Sequence, residues 1–170
     1  MQTAADITQD KSCDFSRFLR SEGETSALAK AVGDVLLAGD VILLNGDLGT
    51  GKTFFARALI QHRLGALGLW EDVPSPSFTL VQEYDLGTVT LWHIDLYRLG
   101  GPDEVIELGM LDAFETAICL VEWPDRLEDL RPASAVEISL TDMGESAREI
   151  KITVPHSKTH ILRALDAAGS

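Results

Sequence analysis

The sequence predicts an α/β domain in which helices flank a mixed, largely parallel sheet with antiparallel hairpins. Three observations support this prediction. The apolar run 41–44 leads into a glycine-rich loop and then a helical pattern, which is the order of elements in a βα unit. The segment ICLV at 118–121 is apolar at every position, as expected for a strand buried on both faces. Segments on either side of DLGT and TDMGESA have the pattern of hairpins.

The first half of the chain contains two predicted helices and three predicted strands. A short strand in DFSRFLRS precedes a helix that starts at Ser21, forms a capping box with Glu24, and closes at Gly39. The run 41–44 is the next strand, and a second helix extends from Lys52 to about Leu64. The prolines of GALGLWEDVPSPS predict irregular structure, and FTLVQEY begins a hairpin.

The second half continues this alternation. VTLWHID completes the first hairpin, and short helices are predicted in GGPDEVIELG, with Pro102 in its first turn, and in DAFET. AICLVEW is the buried strand, which Pro124 ends. SAVEISL and REIKITV form the second hairpin, and KTHILRALDAA is the closing helix.

The stretch LLNGDLGTGKTFF matches the phosphate-binding motif GxxxxGK[ST] between a strand and a helix. Gly46, Gly49 and Gly51 allow backbone N–H groups to turn towards an anion, and the following helix directs its positive dipole end to the same place. Lys52 is expected to contact the β- and γ-phosphates, and the Thr53 hydroxyl is expected to ligate Mg²⁺. We therefore predict a polar tail over residues 1–14 and a single P-loop ATPase domain over residues 15–170.

Composition limits the partners of this domain. Fourteen basic residues against 27 acidic ones give a net charge of −13, which argues against direct binding to DNA or tRNA because such contacts require clustered Lys and Arg. Residues 101–145 hold 12 acidic and two basic residues, a net charge of −10. This segment is either a solvated acidic face or a docking surface for a basic protein.

Localisation and cysteine usage also follow from composition. No apolar run approaches the length of a membrane span, and the start MQTAADITQD has neither a basic flank nor an apolar core. A cytoplasmic protein with no membrane partner is expected. Cys13 and Cys119 are too few for a disulfide framework or a zinc site, and Cys119 is predicted to be a core residue.

A P-loop enzyme also needs a carboxylate close to Thr53, at the end of a neighbouring strand. Glu122 follows the apolar run ICLV in the pattern of a Walker B motif, and Asp95 ends the segment LWHID. The pattern does not decide between them. His93 and Trp92 alternate along the second of these strands and are interpreted as packing residues.

The motifs GDLGTGKT, PSPSFTLVQEY, HIDLYRL, ELGMLD and ICLVEWPDRL, in this order, resemble the TsaE family of tRNA threonylcarbamoyladenosine biosynthesis ATPases over about residues 21–154. The resemblance implies that Thr53 and Glu122 ligate Mg²⁺, that Lys52 binds the phosphates, and that Asp95 occupies the essential acidic position. Lys52 and Asp95 are the implied catalytic residues. The implied nucleotide-binding residues are Asp47, Leu48, Gly49, Thr50, Gly51, Lys52, Thr53, Phe54, Trp123 and Ser146.

The chain differs from the usual family pattern at three positions. Phe54 stands where a second Thr or Ser usually follows GKT, so a side-chain hydrogen bond to the α-phosphate would be lost, worth roughly 0.5 to 1.5 kcal/mol. Thr50 replaces a common Ala within the loop. PSPSF resembles a switch-like loop near the γ-phosphate, with Ser77 in place of Thr. The adenine is expected near Phe15 and the second hairpin loop.

Three functions compete at this point. In the first, a Mg²⁺-dependent ATPase supports threonylcarbamoyl transfer to tRNA through a protein partner; the resemblance names TsaB and TsaD proteins, and tRNA is contacted only indirectly. The second is a P-loop small-molecule kinase, although Arg57, Arg98, Arg126 and Arg131 form no obvious cluster. The third is a nucleotide-dependent binding module with negligible hydrolysis. ATP is favoured because the guanine signature (N/T)KxD is absent.

Overall fold

The computed structural model describes residues 11–169 as a seven-stranded sheet covered by helices on both faces. The strands are β1 Ser12–Leu19, β2 Val41–Asn45, β3 Val81–Asp85, β4 Thr90–Asp95, β5 Ile118–Glu122, β6 Val136–Asp142 and β7 Arg148–Pro155. The helices are α1 Glu22–Val35, α2 Lys52–Ala66, α3 Pro102–Glu107, α4 Met110–Thr116 and α5 Thr159–Ala168. A 3₁₀ segment covers Pro124–Leu130.

The strand order is β1-β7-β6-β2-β5-β4-β3, so the P-loop strand β2 lies at the centre. Its pairings with β5 and β6 are parallel, as is the pairing of β4 with β5. The hairpins β3–β4 and β6–β7 are antiparallel, and β1 adds antiparallel to β7. The predicted mixed α/β fold is confirmed, with the parallel pairings confined to the four central strands.

The two faces of the sheet have separate apolar cores. Alternate β2 residues divide between them: Ile42 and Leu44 join α1, α2 and α5 in one core, whereas Val41 and Leu43 join α3 and α4 in the other. All four side chains are at most 2% exposed. A strand that is buried on both faces does not alternate between apolar and polar residues. This explains the continuous apolar runs in β2 and β5.

Two sequence predictions about the ends of α1 are corrected. Helix α1 ends at Val35 rather than near Gly39, because Leu36 is already extended and Arg63 of α2 donates to the carbonyls of Gly33 and Leu36 at 2.7 and 3.0 Å. Gly39, at φ 89°, turns the chain into β2. The predicted capping box forms only in part. Ser21 Oγ accepts from Glu24 N at 3.2 Å as expected, but the Glu24 carboxylate accepts from Arg20 N.

Strand positions differ at two other places. In FTLVQEY the strand starts only at Val81, because Leu80 N donates to Pro76 O at 2.7 Å and closes a turn. Of the polar tail predicted over residues 1–14, residues 1–10 lie outside the part of the chain that the structure describes. Residues 12–14 belong to β1, where they pair with β7. Among the described residues, no helix is long and apolar enough to cross a membrane.

A buried ion cluster fastens α5 to the amino end of β2. Asp40 is 2% exposed; its carboxylate accepts from Lys158 Nζ at 2.8 Å, from His160 Nε2 at 2.7 Å and from Leu37 N at 2.8 Å. Burial alone would raise the pKa of Asp40, but the hydrogen bonds from Lys158, His160 and Leu37 outweigh it and lower the pKa below its ordinary 3.8. The charged form of Asp40 therefore stabilises the fold.

We expect Asp40→Asn to lower the free energy of unfolding at pH 7 by about 3 kcal/mol, as when one member of a buried ion pair is removed. Because the pKa of Asp40 is lowered on folding, its contribution is present above about pH 4 and is lost as pH falls through the folded-state value. Urea denaturation between pH 7 and pH 3 measures both effects. The exposed Asp34→Asn variant is the control, and equal stability of the Asp40→Asn chain and the parent at pH 7 would contradict the expectation.

Candidate functional site

A cleft of about 350 Å³ opens at the carboxyl ends of the central strands. The glycine loop between β2 and α2 forms its floor, and the ends of β4 and β5 form one wall. The predicted site residues that line it are Leu48, Gly49, Thr50, Gly51, Lys52, Thr53, Phe54, Asp95, Glu122, Trp123 and Ser146. Asp47 is absent from this lining, and its carbonyl oxygen instead accepts from Thr50 N and Lys52 Nζ within the loop.

The loop has a shape that only glycine permits at its key turns. Gly46, Gly49 and Gly51 have φ values of 150°, 80° and 104°, where L side chains are strained. A Cβ on Gly46 would also collide with Thr50 Oγ1 and would stand 2.7 Å from Leu140 O. The loop is therefore held as an open cradle at the amino end of α2, which fits a phosphate group.

Lys52 lies in this cradle and is 5% exposed. Its Nζ donates to Gly46 O at 2.6 Å and to Asp47 O at 2.9 Å, and it stands 4.1 Å from the ring centroid of Trp123. Burial lowers the pKa of Lys52, and the negative charges of Glu122, Asp95 and Asp47 offset only part of this shift. Burying an ammonium is costly unless anions compensate for it, so this position is suited to a polyphosphate.

The two candidate carboxylates lie side by side. Asp95 and Glu122 are register partners on the parallel strands β4 and β5, and they are 5% and 2% exposed. Glu122 Oε1 accepts from Thr53 Oγ1 at 2.7 Å, which joins the first turn of α2 to the end of β5. Burial raises the pKa of Asp95, partly offset by the hydrogen bond from Tyr97 N to its carboxylate.

The Thr53 hydroxyl and the Glu122 carboxylate fit Mg²⁺ better than a metal that is bound by protein side chains alone. Within residues 11–169, no group of three or more His, Cys, Asp or Glu side chains could hold a metal ion. Mg²⁺ commonly takes one or two protein oxygens and completes its shell with phosphate oxygens and water. Thr53 and Glu122 would hold such an ion, which would supply positive charge to offset that of a bound phosphate.

Trp123 adopts a left-handed conformation, with φ 57° and ψ 53°, directly after β5. This conformation is uncommon for a bulky residue and costs on the order of 1–3 kcal/mol. It places the indole against Tyr97, with ring centroids 4.9 Å apart, and beneath the Lys52 ammonium. The resemblance places Trp123 among the nucleotide-binding residues, and it lines the cleft in a half-buried position.

The cleft also contains residues that sequence reasoning placed differently or missed. Glu22 and Thr25 of α1 line it and were not predicted; the sequence gives no signal that the first turn of α1 reaches the P-loop. Ser75 and Ser77 line it from the PSPSF segment, which the resemblance placed near the γ-phosphate. Phe15, expected near the adenine, instead packs against the core beneath α1, α2 and α5.

Arg148 also lines the cleft, from the start of β7. Its Nε donates to Thr50 O at 2.7 Å, and its Nη1 donates to Asp142 Oδ1 at 3.1 Å and to Ala147 O at 2.8 Å. These bonds connect the second hairpin loop to the crown of the P-loop.

A glycine loop that follows the central parallel strand, opens a helix and lies beside the acidic end of the neighbouring strand defines a protein of the P-loop class. The model of one family, described as threonylcarbamoyl adenosine biosynthesis protein TsaE, matches residues 19–150. The chain belongs to the TsaE family of tRNA threonylcarbamoyladenosine biosynthesis, which confirms the resemblance of its motifs.

Known relatives agree with this assignment. A protein of Rickettsia felis named tRNA threonylcarbamoyladenosine biosynthesis protein TsaE is 37% identical over 150 residues, covering 88% of this chain and 86% of the relative. A Bacillus subtilis protein of the same name is 36% identical over 140 residues, covering 82% and 85%. The crystal structure of Bacillus subtilis YdiB is similar with a TM-score of 0.74 at 30% identity, covering 94% of this chain and 99% of YdiB.

We expect Lys52→Ala to weaken ATP binding by ~100-fold, because a buried charge-assisted contact to phosphate is lost. Calorimetric titration with a non-hydrolysable ATP analogue measures this loss. Lys151→Ala, an exposed lysine on β7, is the matched control. Unchanged affinity in the Lys52→Ala chain would mean that GDLGTGKT does not bind the nucleotide.

We expect Phe54→Thr to leave nucleotide affinity unchanged or to raise it by up to ~10-fold, the worth of one hydrogen bond. Phe54 is half-buried and lines the cleft, so a hydroxyl there could reach the α-phosphate. Phe54→Val has the same shape as the Thr variant but no hydroxyl, so the difference between the two isolates the hydrogen bond. A large loss of affinity in both variants would show that Phe54 is needed for packing on α2.

Proposed function

We propose that the chain is a Mg²⁺-dependent ATPase that serves tRNA threonylcarbamoyladenosine formation in the cytoplasm by acting on a protein partner. The observation that carries this proposal is the 2.7 Å hydrogen bond between Thr53 Oγ1 and Glu122 Oε1, beside the buried Lys52. It joins the candidate Mg²⁺ ligands of the P-loop and of β5 at the point where the β- and γ-phosphates would lie.

Four polar residues of the cleft have a defined task in this proposal. Lys52 binds the phosphates, and Thr53 and Glu122 hold the Mg²⁺ that accompanies them. Asp95 orients the attacking water and accepts its proton; burial raises its pKa, which brings a carboxylate closer to the range useful for general-base catalysis. Ser75 and Ser77, joined by a 2.7 Å hydrogen bond, line the cleft from the PSPSF loop.

The positions of the arginines support slow ATP hydrolysis by the chain alone. Among residues 11–169, Arg148 is the one arginine in the cleft lining, and it is engaged with the crown of the P-loop at Thr50 O. Arg57, Arg126 and Arg131 donate to Val73 O, Tyr97 O and Glu137, respectively. The Arg98 guanidinium lies over the Phe78 ring, 4.2 Å from its centroid. An arginine that stabilises the transferring phosphoryl group can contribute ~10³ to 10⁵ in rate, and we propose that a partner supplies it or orders the site.

The partner is proposed to be a pair of TsaB and TsaD type proteins, of which the TsaD type carries out the transfer and holds the tRNA. The net charge of −13 supports an indirect role towards tRNA, because direct contact with tRNA phosphates would be repelled. The acidic segment 101–145 contributes exposed carboxylates on α3 and α4, among them Asp103, Glu107 and Asp112. This segment is a candidate docking face, and association should weaken as salt screens it.

We expect ATP hydrolysis by the chain alone to be slow and to rise by up to ~10³-fold with the TsaB and TsaD pair, but not with tRNA alone. Steady-state phosphate release, measured at low and high salt, checks this. Asp95→Asn should abolish the stimulated rate, whereas Asp34→Asn on the exposed face of α1 should retain it. Fast hydrolysis by the chain alone, or stimulation by a small metabolite instead of the pair, would favour a small-molecule kinase.

A further inference from the structure

His93 lies inside the molecule on β4, two residues before Asp95, and is 0% exposed. Its Nε2 is 2.7 Å from Glu122 Oε2. Since Glu122 Oε1 accepts from Thr53 Oγ1 at the same distance, each oxygen of this carboxylate has its own side-chain partner. The sequence pattern assigned His93 to packing, but the structure places it against the candidate metal ligand.

The other ring nitrogen distinguishes His93 from an ordinary core residue. Nδ1 is buried and has no hydrogen-bond partner within residues 11–169. His93 pairs in register with Leu120, and both Leu120 and Leu91 belong to the apolar core on this side of the sheet. A buried nitrogen without a partner costs free energy, so an apolar residue would pack here at a lower cost. The contact with Glu122 is the interaction that a leucine at this position would lack.

We propose that His93 is a positioning residue that holds the Glu122 carboxylate in the orientation needed to bind Mg²⁺ with Thr53. The inference rests on the proposed function, because it concerns the same Mg²⁺–nucleotide site. With Nε2–H donating to Oε2, rotation of the carboxylate is restricted and Oε1 stays directed at the first turn of α2. Partners that orient a metal ligand in this way commonly change metal affinity by 10- to 100-fold when removed.

Three substitutions separate orientation of Glu122 from packing. In His93→Gln the amide nitrogen is four bonds from Cα, as Nε2 is in histidine, so it can still donate to Glu122. In His93→Asn the amide nitrogen is one bond shorter, at the level of Nδ1, and cannot reach. His93→Leu fills the space without any donor. Leu91→Ala, on the same face of β4, is the control for a loss of core packing without loss of the hydrogen bond.

The measurement is calorimetric titration of Mg²⁺ into the full chain saturated with ADP, with a parallel titration of ADP in the presence of EDTA. We expect His93→Leu and His93→Asn to raise the Mg²⁺ concentration at half-saturation by ~10- to 100-fold, and His93→Gln to stay within about threefold of the parent. ADP affinity in EDTA should change by less than about threefold in all of them, because ADP without metal does not need the oriented carboxylate.

Each alternative outcome has a defined meaning. Unchanged Mg²⁺ affinity in His93→Asn and His93→Leu would overturn the positioning role, while the Mg²⁺–nucleotide site itself would stand. Equal losses in His93→Gln and His93→Asn, or a similar loss in Leu91→Ala, would show that packing alone matters. If the parent chain bound ADP with no dependence on Mg²⁺, the proposed function and this inference would both fail. If His93→Leu does not fold, the contrast between the Gln and Asn variants decides.

Discussion

The parallel pairing of β4, β5 and β2 is the constraint on which the site depends. It brings Asp95 into register with Glu122 and Leu44 into register with Glu122 from the other side, so three chain segments end at one edge of the sheet. The side chains of β2 and β5 that precede these ends are apolar and almost fully buried. A slip of one residue would turn each strand's side chains to the opposite face, which moves the carboxylate away from α2. The two apolar cores therefore fix the position of the site as well as the stability of the domain.

Much of this arrangement could be predicted because its signals are local. A strand, a glycine loop and a helix follow one another in 41–64, and the positive φ values at Gly46, Gly49 and Gly51 are the reason that the motif requires glycine. Both hairpins were marked by turn residues between alternating strands. The sequence placed Glu122 and Asp95 at strand ends without deciding between them, and the parallel pairing of β4 and β5 brings both to the same place.

The remaining features depend on contacts between distant segments. The true end of α1 is determined by Arg63 and Asp40, and nothing in the local pattern of α1 indicates them. The approach of Glu22 and Thr25 to the P-loop requires the packing of α1 beside α2, and the bond from Arg148 to Thr50 spans 98 residues. The sequence assigned His93 to packing, and its full burial agrees, but its 2.7 Å contact with Glu122 on the adjacent strand has no local signal.

The net charge and the proposed ligand look incompatible, because a chain of net charge −13 is expected to bind polyphosphate. Local groups and screening resolve this conflict. Charges are screened over about 8 Å at physiological ionic strength, and no residue of α3 or α4 lines the cleft. There the local groups dominate: the buried ammonium of Lys52, the amide groups of the glycine loop and the amino end of α2. The carboxylates of Glu122 and Asp95 would oppose a bare phosphate at this site, so in the proposed function this local repulsion would favour a nucleotide that arrives with Mg²⁺ over one without it.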